Sequence, residues 1–138
     1  MTTRNSWTSG PLRELDTHEC LELLGTRSVG RVAFDAEDGP VVLPVNYVVH
    51  GQGVLFRTSP HNTIARHIGG TRSAFEVDEI DDFTQSGWSV LLRGPAELVE
   101  DVQDLPREAR PVPWVEGTRS LYVRIRASSI TGRRLYPT

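Results

Sequence analysis

The pattern of apolar and polar positions changes character early in the chain. "LDTHECLELLG" (15–25) reads as a short helix. Asp16 can cap the first turn, Glu19 completes a capping box, Leu15 and Cys20 are placed as a staple, and Gly25 stops it. From Val29 onward the runs are strand-like: "VGRVAFD", "PVVLPVNYVV", "VLFRT", "SAFEVDEI", "GWSVLLRGPAELVE" and "SLYVRIRASSI". Gly39-Pro40 and "HGQG" (50–53) supply turns between them. The last run alternates, with Leu121, Val123 and Ile125 on one face and Tyr122, Arg124 and Arg126 on the other. "NTIARHIGG" predicts a brief helix begun by Asn62 and ended by Gly69-Gly70, and "EDVQDLPREAR" offers a third. Six strands outweighing two or three short helices, with tight turns between neighbours, predict a mainly β fold, a six-stranded antiparallel barrel.

The 138 residues suit one core, so residues 12–138 are expected to form a single domain behind a flexible N-terminal arm, 1–11, that is polar and ends in Gly10-Pro11. No apolar run approaches the roughly 20 residues that cross a bilayer, and the first residues lack the apolar centre of a signal peptide. The expectation is a soluble, cytoplasmic protein with no membrane role. Net charge is −3, which gives a polyanion no general attraction and argues against a nucleic-acid partner. All 15 basic residues are arginine. Lysine Schiff-base chemistry is therefore excluded, and an anion must be held by guanidinium, hydroxyl, amide or backbone donors. Cys20 has no partner for an intrachain disulfide and reads as a small buried residue.

The rim of the second hairpin is where donors crowd. Arg57, Thr58 and Ser59 end a strand, and Asn62 and Thr63 open the following helix, whose free amides add to the set. A phosphate fits such a group; so does a plain helix cap with Arg57 paired to a surface carboxylate. Asn46 interrupts the apolar run "LPVNYVV" and needs partners if buried, from a ligand edge or from a strand irregularity beside Pro44. In "GWSVLLRG", Trp88 and Ser89 point to opposite faces, and the indole either covers a flat ring or fills the core. Glu76 and Asp78 of "EVDEIDD" face outward on a strand, which suits no metal site, and no nucleophile is visibly paired with a histidine.

Taken in order, "GRVAF", "LPVNYVV", "FRTSP", "FEVDEID", "SGWSVLLRG", the "PW" pair and "ITGRRL" resemble the pyridoxamine 5′-phosphate oxidase-like family of FMN-binding split barrels, over about residues 12–135. The resemblance implies a six-stranded split barrel forming a homodimer, with FMN in two clefts built by both subunits. It implies that Val45 and Asn46 face the flavin ring and that Arg57 and Thr58 serve the phosphate. Thr63 stands where relatives usually carry a phosphate-binding lysine, which leaves Arg57, His61, Asn62 and the helix amides to do that task. Ser89 would approach the cofactor, Trp88 would flank it or support the dimer, and Trp114 with the arginines of "TGRRL" would come from the partner subunit.

The chain is shorter than the true oxidases and keeps only remnants of their C-terminal pattern, which argues against vitamin B6 oxidation. Two functions stay open: an FMN-dependent oxidoreductase acting on a small molecule, and a module that binds a flavin, or a deazaflavin or haem in the same slot, without turnover. No residue is identified as catalytic, and the substrate and electron donor are not specified.

Overall fold

A computed structural model of the protein describes residues 11–58, 63–99 and 121–137, together with Val102, Leu105, Pro106, Arg110 and Pro111. The elements are β1 (Leu12–Leu15), α1 (Thr17–Leu24), β2 (Val29–Ala36), β3 (Gly39–His50), β4 (Gly53–Thr58), α2 (Thr63–His67), β5 (Arg72–Asp81), β6 (Ser86–Val99), β7 (Leu121–Arg126) and β8 (Ser129–Leu135).

Six of the strands close a ring in the order β2-β3-β4-β7-β6-β5, every pairing antiparallel. This is the expected six-stranded barrel. Two long strands make closure possible by serving two sheets. Residues 39–46 of β3 pair with β2, and residues 47–50 turn away to pair with β4. Likewise β6 pairs with β8 as far as Arg93 and with β5 as far as Pro95, then with β7 from Ala96. The change of sheet falls at Gly94-Pro95, where a Cβ on Gly94 would lie 1.8 Å from the Arg126 carbonyl oxygen. Only glycine lets the two backbones approach there.

Two strands lie outside the ring. The run 120–130, read as one strand, divides at Ala127–Ser128: β7 enters the ring, while β8 pairs with the first half of β6 and carries β1 on its far side. The Ser128 amide donates to the Arg93 carbonyl at 2.7 Å, so the turn is pinned to β6.

Inward side chains fill the barrel, with Phe75 at the centre, edge-on to Tyr47 at 5.0 Å and stacked with Phe56 at 6.2 Å. Helix α1 has the expected capping box: the Glu19 amide donates to Asp16 and the Asp16 amide to Glu19. Its Cys20 and Leu24 join the core, and the Tyr47 hydroxyl donates to the Leu24 carbonyl, satisfying one of the free acceptors of the last turn. Gly25 ends the helix in a right-handed conformation rather than the left-handed one of a glycine stop. Helix α2 seats Ile64 against the core, as does Ile68 just beyond it, before Gly70 turns the chain at φ +77°. Asn62 and most of the third expected helix fall outside the described residues.

Candidate functional site

Two of the sequence candidates flank the place where β3 changes sheets. Val45 and Tyr47 point inward and are buried, so Asn46 between them projects from the outer surface, half-buried, opposite Val29 of β2. The β3–β4 ladder ends at the pair Tyr47 and Phe56, so Asn46 and Arg57 are the next residues on their strands just past its last step. Phe56 is in the core, and Arg57 therefore also faces outward. A strand's alternation thus delivers an amide and a guanidinium to the same side of a seam between two sheets.

Arg57 is held from two sides. Its guanidinium carbon lies 5.3 Å from the centre of the Tyr122 ring, on the residue that pairs with it across β4 and β7. Its Nη1 donates to the Pro111 carbonyl at 3.4 Å. Such anchoring fixes the head group in position and removes much of the rotational freedom an arginine would lose on gripping an anion.

The remaining candidates are dispersed by the same alternation. Thr58 turns inward and is buried, so its hydroxyl lies on the opposite face from the Arg57 head. Val45 offers only its main chain to the outer surface. Thr63 is the first residue of α2. Trp88 is buried in the core cluster, its Nε1 donating to Glu79 at 3.3 Å on the strand alongside. Asn62, His61 and Trp114 lie outside the described residues.

Ser89 belongs to the outer face of the larger sheet. It stands opposite Asp78 on β5 and Arg133 on β8, and Arg133 in turn stands opposite Glu14 on β1. A hollow of about 380 Å³ on this face is lined by Ser89, Glu76, Leu91, Arg133, Glu14 and Leu12, among others. Asn46 lies in the same cross-sheet row but three strand spacings from Ser89, about 14 Å. A single chain does not bring the two together.

One cluster on this face goes beyond the sequence reading. Nη1 of Arg31 reaches Glu76 at 3.0 Å and Asp78 at 3.4 Å, so one guanidinium nitrogen serves two carboxylates. Burial and the neighbouring Asp78 push the Glu76 carboxyl up to about 7, and Arg31 only partly offsets them. The outward spacing of Glu76 and Asp78 was legible in the sequence; their cross-strand partner, 45 residues earlier, was not.

The comparisons agree with this architecture. The sequence pattern of pyridoxamine 5′-phosphate oxidase matches residues 16–134. An uncharacterized protein of Mycobacterium tuberculosis is 32% identical over 128 residues, covering 88% of this chain and 84% of that protein. Among solved structures, a Corynebacterium glutamicum protein superposes with a TM-score of 0.77 at 30% identity, covering 95% of this chain and 98% of its own. An FAD binding protein from Mycobacterium smegmatis does so with a TM-score of 0.72 at 29% identity, covering 91% and 99%. A match over nearly the whole chain, on a ring of six strands, makes this chain a split-barrel member of the pyridoxamine 5′-phosphate oxidase family.

Proposed function

We propose that the chain is a flavoprotein that holds FMN at the β3–β4 seam where two copies of the barrel meet, and that it acts as an oxidoreductase on a small molecule. The observation that carries this reading is the pair of outward groups at the seam, Asn46 and a tethered Arg57. A guanidinium presents several donors to phosphate oxygens, and a half-buried amide can both donate to and accept from the edge of a flavin ring. The donor set therefore fits a flavin phosphate, with Arg57 as the charged contact and Thr63 at the start of α2 as an uncharged one. Val45 would contribute main-chain contacts.

A bound flavin would supply hydride transfer, so the protein need only bind, orient and shield. The roughly 14 Å between Asn46 and Ser89 favours a site shared by two copies, with Ser89 of one chain completing the seam of the other. The outer face of the larger sheet suits such pairing: Leu12, Val29, Val42 and Ile80 lie on it at 59%, 44%, 60% and 55% exposure, four of the seven large exposed apolar residues among those described. That concentration exceeds what scattered surface residues need explain. The name of the M. smegmatis relative makes FAD the nearest variant of this reading, since both flavins carry a phosphate next to the ribityl chain.

The test is a visible spectrum of the purified protein followed by titration with FMN. Bound flavin should appear, and Arg57→Ala should weaken FMN by about 1.5–3 kcal/mol, roughly tenfold to more than a hundredfold. Unchanged affinity would move the phosphate elsewhere, and absence of flavin binding would end the reading. Bleaching of the bound flavin by a nicotinamide donor separates an oxidoreductase from a holder without turnover, a second reading that the absence of any lysine keeps in view.

A further inference from the structure

The face assigned above to pairing carries, amid its exposed apolar residues, a charge cluster that does not balance. Arg31 on β2 stands opposite Glu76 on β5, with Asp78 two residues along on the same side, and the Arg31 side chain is about half exposed. Around them, β3 presents Pro44 opposite Arg31, and β6 presents Leu91 opposite Glu76 and Ser89 opposite Asp78. Further out lie Arg133 on β8 facing Glu14 on β1, Arg93 one row along β6, and the Arg27–Glu79 ion pair at 3.4 Å. Arg133 and Glu14 offset each other. Arg31 offsets one of the two carboxylates it touches, and the other remains uncompensated whenever both are ionised.

We propose that the Arg31–Glu76–Asp78 cluster is a proton-operated latch on the face where two copies of the chain meet, favouring the pair when Glu76 is protonated and loosening it when Glu76 is ionised. The inference rests on the two-copy reading of the preceding section. Its occupant is a second copy because the rows are mixed in sign and apolar at their ends, as a surface that must complement itself requires.

The direction follows from linkage. In the single chain, burial and Asp78 already raise the Glu76 carboxyl to about 7. Covering the face removes water from the same group and disfavours its ionised form further, so pairing takes up protons. Association is then strongest below about pH 7 and weakens as pH rises through that value. An ionised Glu76 also leaves the Arg31–Glu76–Asp78 cluster itself with one net negative charge per copy, and the symmetric pair brings two such clusters onto one buried face.

Sedimentation of the full chain between about pH 6 and about pH 8.5 tests the latch. The dissociation constant of the pair should rise tenfold or more across that range. Glu76→Gln keeps a neutral group of the same shape and should give a tight pair whose affinity no longer varies with pH over the same window. Asp78→Asn removes the neighbour that raises Glu76 and should move the wild-type midpoint to lower pH. A wild-type pair whose affinity varies with pH no differently from Glu76→Gln would overturn the latch while leaving the two-copy reading intact. A monomer at every pH and concentration would overturn that reading and the latch with it.

Discussion

At Gly132 a missing side chain decides how closely a helix can approach a sheet. A Cβ there would meet Cys20 Sγ at 2.6 Å and the Ser89 carbonyl oxygen at 3.1 Å, so α1 lies close over β8 and β6 because this position is bare. Gly132→Ala should cost about 1–3 kcal/mol in urea unfolding, the usual penalty for overpacking. In a Cys20→Ala background the added cost should shrink, because the sulfur is gone; an equal cost in both backgrounds would contradict the contact. The same scale shows what the sequence could and could not reveal about the site. Arg57 and Asn46 stood out because each breaks an apolar run, and both project outward. The apparent crowd of Arg57 with Thr58 was misleading in one respect, since neighbours on a strand point to opposite faces and Thr58 is buried. Tyr122, which lies beneath the guanidinium, gave no signal, because its pairing with Arg57 spans 65 residues of chain.

Among the elements, α1 was the most legible, since a capping box is written within four residues. Asp16→Ala should lower stability by about 1 kcal/mol, within a range of roughly 0.5–2, by leaving the Glu19 amide without its acceptor. Equilibrium unfolding monitored by tryptophan fluorescence reads this directly, and an unchanged midpoint would show that the cap contributes nothing. The long strand β6 was equally visible as one run, although the change of sheet at Gly94-Pro95 was not read from it. The separation of β7 from β8 was not, because Ala127–Ser128 carries neither glycine nor proline and the apolar alternation runs up to it. Nor was β1, whose four residues, two of them charged, are too few to establish a period.

For the molecule as a whole, ring closure depends on pairings distant in sequence, notably β2 with β5 and β4 with β7. Periodicity alone reached a six-stranded antiparallel barrel; the ordered motifs, rather than any local pattern, pointed to the split form and to the family that the comparisons support. Every strand of the ring has a neighbour on both sides, whereas β8 lies outside and, among the described residues, has β1 on its far side. Among the described residues the ladder ends on β1, a strand of four residues bearing Arg13 and Glu14, and such brevity and charge are how natural sheets discourage a neighbour from docking edge to edge. Deleting residues 1–14 would strip that guard and uncover the backbone amides and carbonyls of Arg133–Leu135 at the end of β8. Light scattering should then report growth into larger species with rising concentration, whereas an unchanged particle size would show that β8 needs no such cover. Among the described strands, the shortest is thus the one that sets where the sheet stops growing.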